Sequence, residues 1–251
     1  RVNQAVALHS EFQAAWSSFK SVYSALPGDM ANATEFWGTN TTHCPTLSGV
    51  ASATGTCNGN GDGKINWYDH DQVVAEGTQL AALANSAAEG EMVFQHLRLA
   101  GLLKLPTNLS TGTSATIDFS YYAVPQFRMQ SRAIWGVGST DPEYADLYPD
   151  AADIQGSSML GNALQTAILL DNGSPRCAVA TPQMTYAIDK KMDDGLPLKG
   201  KFRGTKAVPY VAGATFNAAN LLDCIASDGA GGYEYNIGYT SDACRFLMSL
   251  D

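Results

Sequence analysis

The stretch RVNQAVALHSEFQAAWSSFKSVYSALPGD (Arg1–Asp29) decides how the rest of the chain is read. Its apolar positions Val2, Val6, Phe12, Trp16, Phe19, Tyr23 and Leu26 recur mostly at steps of three and four, with Asn3, Ser10, Glu11, Ser17 and Lys20 between them. That period places one apolar stripe along an amphipathic helix. Pro27-Gly28-Asp29 is the expected stop, because proline lacks the amide hydrogen and disfavours helical geometry in the residue before it. The chain opens on this helix at Arg1 rather than at Met, and is expected to be a piece of something longer.

Outward from the helix the character changes. Residues 38–64 are rich in Gly, Thr, Ser and Asn and contain Cys44 and Cys57. A second helical tract is expected over about 70–104, broken near Asn85–Gly90 and ending in Met92–Leu103, which is apolar around most of its circumference. After Pro106, Thr116–Val124 and Phe127–Val137 have the aromatic and β-branched content of a hairpin. Residues 139–158 read as an exposed acidic loop and Asn162–Leu170 as a strand. Thr181-Pro182 reads as an N-cap followed by proline at the first helical position, opening a short helix to about Met192. Short strands are expected at Val208–Val211, Tyr233–Ile237 and Phe246–Leu250. Helix first and antiparallel strands later give an α+β fold, a long N-terminal helix packed on one face of a sheet. No domain boundary is evident, and the chain is expected to be a single domain over 1–251.

Composition narrows the function classes. The 251 residues are 45% hydrophobic and 16% charged, against roughly 25% charged in ordinary soluble domains. A core of real size is therefore available, and the low charge suits a secreted or surface protein. Fifteen basic against 24 acidic residues leave a net charge of −9, which argues against nucleic acid or an anionic membrane surface as partner. Five cysteines without a C-x-x-C, and four histidines, do not have zinc-ligand spacing. Cys44/Cys57 and Cys224/Cys244 each bracket a loop too polar to pack by itself, and two disulfides are expected there. Cys177 is left over, with Cys177–Cys224 the competing pairing.

One local pattern suggests a cation. Asn58-Gly59-Asn60-Gly61-Asp62-Gly63-Lys64-Ile65-Asn66-Trp67-Tyr68-Asp69 resembles a twelve-residue calcium loop. Oxygen side chains stand at positions 1, 3, 5, 9 and 12 (Asn58, Asn60, Asp62, Asn66, Asp69), the backbone of Lys64 at 7 and glycine at 6. Asn at position 1 and Asp at position 12 leave only two negative ligands, so calcium affinity would be in the weak extracellular range. A plain turn introducing a helix is the other reading.

Catalytic signals are weak. There is no G-x-S-x-G elbow, and His9, His43, His70 and His96 stand in no catalytic motif. His96, within an apolar helix, reads as a hydrogen-bonded core histidine, and His70 between Asp69 and Asp71 as a solvated helix start. Asp189, Asp193 and Asp194 beside a glycine read as a helix end held by side-chain-to-backbone bonds. The protein is expected not to be an enzyme. A hydrolase using the acids of 139–153 or 189–194 is the remaining catalytic reading.

Several blocks together resemble one family. Phe19–Met30 (FKSVYSALPGDM), followed by Ala33 and Phe36-Trp37-Gly38, resembles the helix end and LPGD turn of bacterial type IV pilin-like proteins with a prepilin-type cleavage and methylation segment. Gly59–Ile65 is similar to that family's Gly/Asn/Asp turn, Glu91–Leu103 to its buried W-Q-H-L helix, and Ala187–Pro197 to its ID-K-DDG-P block. Tyr235 with Cys244-Arg245-Phe246 is similar to its C-terminal cysteine strand. The resemblance implies a pilin or pseudopilin subunit whose residues 1–26 are the distal half of the first helix and 27–251 the head. A membrane-spanning half-helix would precede Arg1, and Val2, Val6, Phe12, Trp16, Phe19 and Tyr23 would form the helix face in a filament core. The implied partners are other pilin subunits and the inner membrane, the implied location the bacterial cell envelope, and the implied role that of a minor or unusually large subunit of a pilus-like or type II secretion-like filament. A secreted, calcium-dependent adhesin or binding module is the alternative.

Overall fold

The computed structural model describes residues 2–38, 56–65, 89–104, 133–139, 161–168, 177–207, 209 and 222–250. These residues form helices α1 (Val2–Tyr23), α2 (Ala33–Trp37), α3 (Glu89–Leu99) and α4 (Pro182–Met192). The strands are β1 (Ala133–Ser139), β2 (Asn162–Ile168), β3 (Phe202–Lys206), β4 (Ile225–Ser227), β5 (Tyr233–Tyr235) and β6 (Cys244–Ser249). The architecture is α+β, with an N-terminal helix, a small sheet and a Cys224–Cys244 disulfide. The chain forms two compact units: residues 1–10, 126–135 and 140–251 make the first, and residues 11–125 and 136–139 the second.

In the first unit β6 lies between β2 and β3 and runs antiparallel to both. Every residue of β6 from Cys244 to Ser249 is buried, the pattern of a strand covered on both faces rather than the alternation of a half-exposed one. β4 and β5 form a separate two-stranded ladder. Cys224 and Cys244 join in a disulfide beside Ile225, Tyr235 and Leu198. Cys177 keeps its thiol and is buried. At the start of α4 the Thr181 hydroxyl accepts the Met184 N–H at 3.3 Å, with proline at the first helical position, the cap that the Thr-Pro pair indicated. From the first residues of α1, Ala5 and His9 are buried, and His9 Nε2 lies 3.3 Å from the Ser249 carbonyl oxygen.

The second unit takes the rest of α1, in which Phe12, Ala15, Trp16 and Phe19 are buried. The buried stripe of the whole helix is thus 5, 9, 12, 16 and 19 at alternating steps of four and three. Val2, Val6 and Tyr23 are only half-buried. Phe12 meets Phe94 of α3 at 5.3 Å between ring centroids, and Phe19 stacks on His96 and meets Tyr23 and Trp37 at a tilt. α1 ends three residues before the expected point: Ser24 takes a left-handed φ of 54° and its N–H bonds to the Lys20 carbonyl, closing the helix before Pro27 is reached. α3 begins at Glu89, within the expected second tract.

Other expectations differ from what is seen. The strand β3 at Phe202–Lys206 was not expected, because Gly204 and the charged Arg203 and Lys206 hide it from propensity; of the expected strand Val208–Val211, residues 208, 210 and 211 lie outside the described residues. α2 and β4 were too short to carry a periodic signal. Cys57 is disulfide-bonded. Cys44, the segment 70–88, the strand Thr116–Val124, the acidic loop 140–158, and Asn66, Asp69, His43 and His70 lie outside the described residues.

Candidate functional site

The blocks LPGD, NGNGDG and EMVFQHL, far apart in sequence, meet in the second unit. Leu26-Pro27-Gly28-Asp29 leaves α1, and residues 59–63 run beside it, with Gly59 N–H on the Met30 carbonyl and Gly61 N–H on that of Asp29, each 3.0 Å. Gly28 lies at φ +93°, and a Cβ there would be 2.4 Å from the Glu89 carbonyl oxygen. Only glycine lets the chain pass the start of α3 in that conformation.

Asp29 is the centre of this cluster and is 4% exposed. Its Oδ1 accepts the N–H groups of Gly61 at 2.6 Å and Asp62 at 3.1 Å, and its Oδ2 accepts that of Gly63 at 2.9 Å. Consecutive N–H groups in a glycine-rich turn form a concave anion site, and here the anion is supplied by the chain itself. Burial pushes the Asp29 carboxyl above the usual carboxylate range, opposed by those N–H bonds, with the charge of Asp62 adding to the rise.

Around it the polar groups are matched one to one. Glu89 Oε1 accepts the Asn60 N–H at 2.8 Å. His96 is fully buried, as expected for a core histidine. Its Nδ1 accepts the Gly28 N–H at 2.8 Å, while Nε2 lies 3.0 Å from Thr56 Oγ1 and 3.3 Å from the Cys57 carbonyl oxygen. An Nδ1 that accepts requires the proton on Nε2, so the ring is the neutral Nε2–H tautomer. Burial lowers its pKa to about 4, against the raising effect of the Cys57 carbonyl. The Thr56 hydroxyl in turn donates to Gln95 Oε1 at 2.8 Å.

Only residues 58–65 of the expected calcium loop are described, and its expected ligands Asn66 and Asp69 lie outside them. In such a loop the side-chain oxygens converge on one point. Here Asn58 Oδ1 accepts the Thr34 N–H of α2, Asn60 Oδ1 that of Asp62, and Asp62 Oδ1 that of Lys64. Within the same stretch the N–H groups of Gly61, Asp62 and Gly63 turn inward onto the Asp29 carboxylate. Carboxylate oxygens of Asp29, Asp62 and Glu89 do lie within 4.8 Å of one another. Asp29 and Glu89 already accept backbone N–H groups.

A second polar cluster closes the end of α4 in the first unit. Asp189 is fully buried. Its Oδ2 accepts the Tyr235 hydroxyl at 2.6 Å, and its Oδ1 the Gly195 N–H at 3.0 Å. The Tyr235 oxygen accepts the Gly204 N–H at 3.1 Å. Asp193 Oδ2 accepts the N–H groups of Lys201 and Phe202, and Asp194 Oδ1 that of Leu196. Each of these three acids is therefore committed to the backbone.

The expected helix face is divided by the fold. Phe12, Trp16 and Phe19 are buried, while Val2, Val6 and Tyr23 are half-buried. The exposed residues of α1 include Ala7, Ser10, Ala14, Ser17, Ser18 and Ser21 together with Asn3, Gln4, Glu11, Lys20 and Val22. Sequence reading missed Asp29, Glu89, Thr56 and Gln95 as one cluster. The available signal was a Gly-Asp turn and a glycine-rich N–H donor loop in the same chain. No family model, curated protein or solved structure matches the chain.

Proposed function

We propose that this chain is the head of a pilin-like subunit, a minor or unusually large member, that assembles into a bacterial type IV pilus-like or type II secretion-like filament at the cell envelope. The observation that supports this reading is the convergence of three blocks on which the pilin resemblance rests. The LPGD turn, the Gly/Asn/Asp loop and the Q-H-L helix are joined through Asp29, Glu89 and His96. Blocks that fit together as one hydrogen-bonded unit are better explained by a shared fold than by separate chance similarities. A preceding apolar segment anchors the subunit in the inner membrane before assembly.

N-terminal sequencing and intact mass of the native protein, extracted from membranes, test the proposal. An apolar segment of about 20 residues ahead of Arg1, beginning with a methylated residue, is the expected result. A mature chain that begins near Arg1, or after an ordinary cleaved signal, overturns it in favour of a secreted binding module.

A further inference from the structure

We propose that Asn60 is a site of self-modification by deamidation, guarded by Asp29 and exposed to reaction only when the 61–63 turn leaves that residue. Asn58-Gly59 and Asn60-Gly61 stand in series. An Asn–Gly pair is the dipeptide most open to this chemistry, because glycine has no side chain to shield its nitrogen. The glycine nitrogen attacks the asparagine Cγ, and a new N–C bond forms as the Cγ–Nδ2 bond breaks. The side-chain nitrogen leaves as ammonia, and the proton lost by the glycine nitrogen leaves with it. Water then opens the cyclic imide on one side or the other, which leaves aspartate or isoaspartate. Nothing is oxidised or reduced, and water is the co-reactant.

The fold treats the two pairs differently. The Gly59 N–H bonds to the Met30 carbonyl at 3.0 Å, and a Cβ on Gly59 would be 2.4 Å from both the Asp29 carbonyl carbon and the Gly28 carbonyl oxygen. The first pair is thus packed against the backbone of residues 28–30, and Asn58 Oδ1 accepts the Thr34 N–H at 2.9 Å. At the second pair Asn60 and Gly61 are both exposed. Asp29 holds the Gly61 N–H through its Oδ1 at 2.6 Å and its carbonyl oxygen at 3.0 Å. The Asn60 carboxamide is turned to residue 62, where Oδ1 accepts the Asp62 N–H at 2.9 Å and Nδ2 donates to Asp62 Oδ2 at 3.1 Å. While these bonds stand, neither the attacking nitrogen nor the Cγ is free to meet the other. Hydrogen bonds of an exposed turn open more readily than those of a core, so release of residues 61–63 from Asp29 admits the reaction.

The product does not close as the parent did. Aspartate at position 60 puts an oxygen where Nδ2 stood, 3.1 Å from Asp62 Oδ2, and like charges replace a donor and an acceptor. Carboxylate oxygens of Asp29, Asp62 and Glu89 already lie within 4.8 Å of one another, and a fourth charge adds to their repulsion. Isoaspartate instead lengthens the main chain by a methylene and moves Gly61 off Asp29. A brief opening is thereby recorded as a lasting one.

The test incubates the full chain, folded and in urea, at mildly alkaline pH and follows deamidation at each asparagine by peptide-map mass spectrometry. In urea the two pairs should react alike. In the folded protein Asn60 should react at least about tenfold more slowly than in urea, the factor that an opening free energy of about 1.4 kcal/mol imposes, and Asn58 more slowly still. A folded Asp29→Ala protein should deamidate several-fold faster at Asn60, and Asn60→Asp should lose amide-exchange protection at Gly61, Asp62 and Gly63. Equal Asn60 rates in folded and urea-treated unaltered protein overturn the guard, whether or not the variants fold. An unchanged Asn60 rate in folded Asp29→Ala does so as well, and undiminished protection in Asn60→Asp overturns the lasting release.

Discussion

Replacing Asp29 by alanine removes the acceptor for three loop amides at once, those of Gly61, Asp62 and Gly63. A hydrogen bond to a charged group contributes about 1.5–3 kcal/mol net, and about half or less where water can take over. Residues 61–63 are exposed while Asp29 is buried, so water can reach the freed N–H groups in part. The expected loss is about 2–4 kcal/mol in the stability of the second unit. Asp29→Asn should lose nearly as much, because its amide NH2 would face N–H donors. Asp62→Ala should stay within about 1 kcal/mol, since Asp62 is exposed and its side chain serves only neighbouring groups of the same turn. Urea unfolding followed by tryptophan fluorescence is a suitable assay, because Trp16 and Trp37 belong to the same unit. An Asp29→Ala protein within about 0.5 kcal/mol of the parent, the range of an ordinary surface change, with undiminished amide protection at Gly61–Gly63, would refute the internal-anion account.

Three further outcomes follow from the same geometry. Gly204→Ala should cost about 2 kcal/mol or more in thermal unfolding, because its methyl group overlaps the Tyr235 ring and Thr185; an unchanged melting temperature would show that the ring moves freely. His96 is neutral in the fold with a pKa of about 4 against the ordinary 6.5, so the unfolded chain binds the extra proton. Stability is therefore lost as pH falls from about 6.5 to 4, by up to about 1.4 kcal/mol per pH unit. The difference between parent and a folded His96→Gln protein across that window measures it, and parallel pH curves would count against the assignment. Chelation by EDTA should leave the melting temperature unchanged, because the Asp29 carboxylate already holds the loop through the N–H groups of Gly61, Asp62 and Gly63. A calcium-restored shift that disappears in Asp62→Ala would reverse that expectation.

By itself the sequence determined what rests on local chemistry. The three-and-four spacing of Phe12, Trp16 and Phe19 specifies α1, and Thr181-Pro182 specifies where α4 begins, because caps and helical stripes depend on neighbours a few residues away. The Cys224–Cys244 bridge was legible because a short polar loop between two cysteines has few other ways to be held. The burial of His96 was legible from the apolar residues of its own helix. Only the tertiary structure decided which polar groups meet. Asp29 reads as a helix stop until residues 61–63 are brought to it, and Tyr235 reads as a strand aromatic until β5 places its hydroxyl between Asp189 and Gly204. An oxygen-rich loop has the same sequence whether its side chains converge on a cation or its amides converge on a carboxylate. The choice depends on a partner about thirty residues away in the chain, and no local pattern carries that information.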